Sequence, residues 1–209
     1  MEASKVIARV RMMRFLHPRS SGLPAVRQIG PRVYLHPPQE RDWRQWTDLR
    51  AASRPFLEPW EPTWTRDALA RSVYRERLRR TRQEWHDDTG YAFHVFRRKG
   101  DVLLGGVTLS HVRRGVAQAA DLGYWIGQPH ARRGYMTESL RCVMAFAFDE
   151  LRLHRLEAAC LPNNEASKGL LRKLGFREEG YAVKYLRING VWHNHLLFAI
   201  LSEEVAKAP

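Results

Sequence analysis

Trp125-Ile-Gly-Gln-Pro-His-Ala-Arg-Arg-Gly-Tyr-Met-Thr-Glu138 is the stretch on which the reading of this chain turns. A strand ends at Ile126 and a short loop follows. From Gly134 to about Leu151, apolar residues recur at helical period: Met136, Leu140, Val143, Met144, Ala147, Phe148 and Leu151. A loop that enters a long helix leaves the first backbone N–H groups of that helix without partners, and the helix dipole adds positive potential there. Such a turn is a ready site for phosphate. Gly134 lets the backbone approach an anion closely. Arg132 and Arg133 add charge, and Thr137 adds a hydroxyl in the first turn. The stretch therefore predicts pyrophosphate binding. Alone, one glycine after two arginines is a weak motif, and a plain strand-to-helix loop reads much the same.

Outward from this stretch the periods alternate. Downstream, Arg155 to Leu161 reads as a strand. Asn164 to Leu174 reads as a short helix with Ala166, Leu170, Leu171 and Leu174 inward, stopped by Gly175. Two final strands, about Arg177–Arg187 and Val191–Leu201, meet at Asn189-Gly190, a strong hairpin signal. Upstream, Tyr91 to Arg97, Val102 to His111 and Ala117 to Ile126 form a meander with turns at Lys99–Asp101 and Arg113–Gly115, and Gly105-Gly106 suggests a bulge. Val33 to His36 is a short strand, and Glu40 to Ala52 is a helix with Trp43, Trp46 and Leu49 on one face. The three prolines between Ser53 and Trp64 predict no regular structure there. That segment still carries Phe56, Leu57, Trp60 and Trp64, so it reads as a loop packed by its aromatics, as a wall of a substrate cleft, or as both. Thr65 is a good N-cap for a helix reaching about Trp85. One face of that helix is basic (Arg66, Arg71, Arg75, Arg79, Arg80, Arg82), which suits plain solvation or RNA contact. Strand, helix, strand, helix between a meander and a hairpin predicts a mixed α/β sheet with helices on its faces.

The chain has 209 residues, 44% hydrophobic and 27% charged, as in a globular domain with one substantial core. No apolar run approaches the roughly 20 residues needed to span a bilayer. Cys142 and Cys160 form no C-x-x-C pair, and no Cys/His spacing suggests zinc or another metal. A reduced, cytoplasmic setting is expected. The formal net charge of +13 favours polyanionic partners: nucleic acid, acidic membrane surface or a phosphorylated cofactor. The first 30 residues hold six basic residues and one acid, with arginines breaking every apolar stretch, so no signal-peptide core is present. Residues 1–30 are expected to be a basic extension, either a targeting or RNA-binding arm or a plain leader with a start at Met12 or Met13. Residues 31–205 are expected to be a single domain.

Leu122-Gly-Tyr-Trp-Ile-Gly127, Arg133-Gly-Tyr-Met-Thr-Glu138, Asn164-Glu-Ala-Ser167, Leu174-Gly-Phe176 and Asn189-Gly-Val-Trp192 stand in an order and spacing that resembles GNAT acetyltransferases. The resemblance runs from Val33 to Ile200 and is closest to the RimJ/RimL-type protein N-terminal acetyltransferases. It implies a central, mostly antiparallel twisted sheet, splayed at two parallel strands, with acetyl-CoA in the gap as acetyl donor. The pantetheine would pair with the backbone around Trp125 and Ile126. The pyrophosphate would sit on amides from Arg132 through Arg133, Gly134, Tyr135 and Met136 to Thr137. Asn164 would bind the CoA arm, cap its helix, or do both. The family's loop usually reads Q/R-x-x-G-x-G/A; here Arg132 replaces the first glycine and Gly134 keeps the second.

Thioester chemistry then sets the roles. A neutral amine attacks, an oxyanion is stabilised and a thiolate leaves. A backbone N–H near Ile126 is the natural oxyanion donor. Ser167 is the candidate to protonate the thiolate. Cys160 faces the same gap, as catalytic neighbour or buried structural cysteine. Glu61 and His195 are the candidate general bases, and Phe56, Trp60, Glu61 and Trp64 would line the acceptor site. The expected activity is acetylation of a protein N-terminus, ribosomal-protein type, with ribosome or RNA proximity suggested by charge. The alternatives are a small-amine or antibiotic acetyltransferase of the same fold, and a degenerate binding module. Either a monomer or a homodimer is compatible.

Overall fold

A computed structural model describes residues 27–205. Its strands are β1 (Gln28–Ile29), β2 (Val33–His36), β3 (Tyr91–Arg97), β4 (Val102–Arg113), β5 (Ala119–Ile126), β6 (Arg155–Cys160), β7 (Arg177–Ile188) and β8 (Val191–Leu201). They form one sheet in the order β1-β2-β3-β4-β5-β6-β8-β7. Every neighbouring pair is antiparallel except β5 and β6. The helices are α1 (Trp43–Ala52), α2 (Arg54–Leu57), α3 (Arg71–His86), α4 (Tyr135–Ala145), α5 (Glu165–Lys173) and α6 (Ser202–Val205).

Strand alternation sends side chains to two faces, and each face has its own core. On one face Val33, Leu35, Phe93, Val95, Val107, Leu109 and Leu156 pack against α4 and α5 through Leu140, Val143 and Leu171, all essentially inaccessible. On the other face Tyr34, Phe96 and Leu103 meet Trp46 of α1 and Tyr74 and Leu78 of α3. A buried leucine of this kind contributes about 2 kcal/mol from its apolar surface.

Several boundaries differ from the sequence expectation, each for a local reason. Gln28–Ile29 pairs with β2, so the sheet starts before the expected domain edge at residue 31. Residues 1–26 of the basic extension lie outside the described residues. The segment from Ser53 to Trp64 is not irregular: α2 is followed by a 3-10 turn at Glu58–Trp60. Pro55 and Pro59 fall in the first turns of these elements, where a missing N–H costs nothing, so they start structure rather than break it. Thr65 opens a turn, Ala68 N–H donating to its carbonyl, and α3 begins only at Arg71. The long helix is regular to Ala145 and then widens into a π-turn over Phe146–Glu150.

The register slip between β3 and β4 falls at Leu104, because Val95 faces Gly105 whereas Phe96 faces Leu103. The glycine pair beside it answers to β5. A Cβ on Gly105 would stand 2.2 Å from the Trp125 carbonyl oxygen, and one on Gly106 would stand 2.6 Å from the Trp125 indole nitrogen. These glycines let the end of β5 lie tight against β4.

Candidate active site

The parallel pairing of β5 with β6 covers only Ala119↔Arg155, Ala120↔Leu156 and Asp121↔Glu157. Beyond that point β5 stays on β4 while β6 stays on β8, ending with Cys160 opposite Leu196. The two strands therefore splay from Leu122 onward. The Gly127 N–H donates to the Leu104 carbonyl at 2.8 Å. By the two-residue period of a strand, Trp125 and Gly123 then turn their backbone groups to β4. Those of Leu122, Tyr124 and Ile126 turn into the gap, so the gap offers an extended ligand the strand edge at Tyr124 and Ile126. The Trp125 backbone is engaged by the meander, and its ring packs toward α1.

The loop from β5 to α4 ends the gap. Gly134 holds φ 79 as the N-cap of α4, a left-handed conformation that glycine adopts without strain. Arg132 also stands left-handed, at φ 58, where its side chain costs conformational energy. The family glycine replaced by arginine thus lies at a position whose backbone favours glycine. Among the described residues, the amides from Arg132 to Thr137 meet no protein acceptor. They form a run of free donors at a helix N-terminus, the arrangement that binds phosphate. Glu138 anchors the first turn of α4: it accepts from the Val33 amide at 3.0 Å and from the Arg32 guanidinium at 3.0 Å.

Across the gap, the Asn164 Oδ1 accepts from the Ser167 amide at 3.0 Å and caps α5. Its amide NH2 meets no partner among the described residues and can donate to a ligand. The Ser167 hydroxyl lies 2.7 Å from the hydroxyl of Tyr124, so β5 and α5 are bridged across the splay. Burial pushes the Tyr124 phenol up to about 12, so it stays neutral and can donate to Ser167. Cys160 is buried beside this pair, and burial raises its thiol above the ordinary value although Ser167 and Lys168 pull the other way. The sequence reading named Ser167 and Cys160 and missed Tyr124. The strand period could have found it, since Tyr124 shares a face with Leu122 and Ile126.

The proline-rich segment, expected to line the acceptor site, folds around Arg50. Its guanidinium lies 4.4 Å from the Trp64 ring centre and 4.9 Å from that of Trp125, and its side chain is only 9% exposed. It donates to both oxygens of Glu61, at 3.2 and 2.5 Å, and the Trp64 indole donates to the same carboxylate at 2.9 Å. The Gln128 amide donates to the buried Ser53 hydroxyl, and the Asn189 side chain donates to the Glu58 carbonyl. The proline-rich segment is thus tied to β5, to the phosphate loop and to the tip of the final hairpin. Phe56 is half-buried and Trp60 is 37% exposed on this segment.

The two candidate bases differ in kind. Glu61 is saturated by cationic and indole donors. His195 is buried on β8 next to Leu196, the residue that faces Cys160 at the end of β6. Its Nδ1 is 3.0 Å from the His193 carbonyl. A carbonyl only accepts, so this nitrogen carries the proton and Nε2 keeps its lone pair. Burial holds the imidazole below the ordinary histidine value, against the raising pull of its hydrogen bond to the His193 carbonyl, so the neutral form prevails at pH 7.

The sequence comparisons meet this geometry. Residues 32–177 match the acetyltransferase (GNAT) domain model. This chain belongs to the GNAT acetyltransferase family. It is an N-acetyltransferase, RimJ/RimL-like, and acetyl-CoA is its acetyl donor. Over 175 residues it is 35% identical to the Bacillus subtilis protein named "Probable N-acetyltransferase YjcK", covering 84% of this chain and 97% of that one. Over 184 residues it is 33% identical to the [ribosomal protein uS5]-alanine N-acetyltransferase of Escherichia coli, covering 88% and 95%. Mycobacterium smegmatis RimJ, solved in complex with CoA-disulfide, superposes with a TM-score of 0.79 at 32% identity, covering 84% and 85%. The splayed β5/β6 gap of this acetyltransferase is the feature its sequence resemblance led one to expect. No helix among the described residues is long and apolar enough to cross a membrane.

Proposed function

We propose that this acetyltransferase acts on the N-terminal α-amine of a protein, of the ribosomal-protein type. The observation that carries the reading is the state of the carboxylates on the acceptor side. Glu61 is held by Arg50, and Glu58 by Arg54 at 2.6 Å. The wall of Phe56, Trp60 and Trp64 therefore presents aromatic surface rather than free acid, which suits the first side chains of a peptide. A polyamine or aminoglycoside needs unpaired carboxylates. The similarity to the uS5-alanine enzyme of Escherichia coli supports the same acceptor class.

In this reading the amides from Arg132 to Thr137 hold the pyrophosphate and the Asn164 NH2 holds the arm. The N–H of Ile126 stabilises the oxyanion. His195 Nε2 takes the proton of the attacking amine, directly or through water. The collapsing intermediate expels the CoA thiolate, which takes the proton of Ser167 as Tyr124 passes its own proton to the serine oxygen. The phenol is reprotonated from solvent, and His195 releases the amine's proton to solvent. Glu61 clamps the acceptor loop.

Thiol release from acetyl-CoA should be confined to peptides with free N-termini, and absent with an Nα-blocked lysine peptide and with small amines. Turnover with small amines alone would sink the acceptor assignment. The pH profile tests the base. kcat/KM should fall with unit slope below the α-amine pKa near 8 and steepen to slope two below the lowered pKa of His195. His195→Gln should lower kcat/KM by about 100-fold and leave unit slope throughout. A second limb that survives the substitution would remove His195 from the role.

A further inference from the structure

Between Arg66 and Arg82 the chain places seven arginines, no lysine and two carboxylates. The buried side of α3 is Tyr74, Leu78 and Thr81. The outward side carries Arg71, Arg75, Arg79 and Arg82 in a row, at spacings of four, four and three residues, so each lies about one turn, roughly 5–6 Å, from the next. Glu40 neutralises part of the row, accepting from both Arg71 and Arg75 at 2.9 Å. Arg79 pairs with Glu76 of its own helix. Arg82 meets no carboxylate among the described residues. A hollow of about 410 Å³ opens beside the row, lined by Glu40, Ser72, Arg75, Leu78, Arg79 and Arg82.

We propose that this face of α3 is a docking surface for the phosphate backbone of structured RNA. Three observations favour this partner. The cations are all arginine, whose planar fork meets phosphate in a bidentate way. The row follows one continuous helix, so its charges are laid out linearly, as phosphates are along a strand. None of the large exposed hydrophobic residues of the described chain lies between Arg66 and His86; they sit elsewhere, at Ile29, Trp60, Val116 and along the β7–β8 hairpin. A protein partner would need an apolar or aromatic centre to the interface, whereas nucleic-acid interfaces are polar and strongly positive. An α-helix cannot read the deep, narrow major groove of A-form RNA, so the contact is to backbone and carries no base sequence. The inference does not depend on which amine is acetylated.

The test uses the full chain and a fluorescent RNA hairpin, with a DNA duplex of the same sequence and an acidic peptide as competitors. Binding is measured from 50 to 300 mM salt. The arginine triple variant Arg75→Gln/Arg79→Gln/Arg82→Gln is set against a charge-matched lysine variant, Lys99→Gln/Lys173→Gln/Lys184→Gln. Each phosphate contact contributes about 0.9 to the slope of log K against log salt. The arginine variant should therefore lose at least tenfold in affinity and about 2–3 in slope, with turnover of a short peptide unchanged. The lysine variant should keep both. Equal losses in the two variants would show that net charge alone binds RNA and would overturn the assignment. So would full competition by the acidic peptide at the same concentration as RNA, which would make the face a protein site.

Discussion

Ser167→Ala is expected to lower kcat with acetyl-CoA by about 100-fold, with little change in the KM of the donor. Tyr124→Phe is expected to lower kcat by about tenfold through the same step, since the phenol acts on the serine and not on the thioester. The hydroxyls are 2.7 Å apart, so the phenol can resupply the serine oxygen as the serine proton leaves. What separates protonation of the leaving group from simple packing is the leaving group itself. An acetyl thioester of a more acidic thiol expels its thiolate without help. With such a donor both variants should regain most of the lost rate. Defects that stay the same size with either donor would confine Tyr124 and Ser167 to a structural bridge across the splay.

Gly105→Ala should damage stability and donor binding together. The added carbon would stand 2.2 Å from the Trp125 carbonyl oxygen and 2.9 Å from the Ile126 Cα, both backbone atoms at the end of β5, the strand whose opposite edge lines the gap. Relief requires β5 to move away from β4. Forced contacts of this kind cost about 1–3 kcal/mol, which in a domain of this size lowers Tm by about 2–4 °C per kcal/mol. The KM of acetyl-CoA should rise at the same time. Gly180→Ala on β7 is the control, because its Cβ would meet only Leu197 at 3.8 Å. A Gly105→Ala protein with unchanged melting and unchanged KM would show that the end of β5 is free to shift.

The features that were legible in the sequence are those written by neighbouring residues. The helical period after Gly134, the Asn189-Gly190 turn and the Asn164 cap are local events, and each formed where the residues implied. The order of the sheet was less legible: β8 inserts beside β6 and leaves β7 at the edge, and no local signal specifies that. The prolines misled because their effect depends on position within a turn, and Pro55 and Pro59 occupy first turns. Tyr124 was missed because its partner lies 43 residues away. Arg50 was missed because its partner, 11 residues on, lies in the segment that the prolines made read as irregular. A lone arginine on a tryptophan-bearing helix reads as solvated, until Glu61 and Trp64 fold over it. That clamp also explains why Glu61 and His195 looked equivalent in sequence: only the fold shows one saturated and the other with a lone pair to offer.

The acceptor assignment is tested most directly with one peptide that carries both a free α-amine and an internal lysine. At pH 7.5 the α-amine, with a pKa near 8, is neutral more than about a hundred times as often as a lysine near 10.4, so each amine is assayed again at pH 9.5 to reduce that advantage. Fragment mass spectrometry then locates the acetyl group. Acetyl on the N-terminal nitrogen alone, at both pH values, is the result this structure leads us to expect. Acetyl on the lysine at pH 9.5, or on neither amine while a small amine turns over, would contradict it.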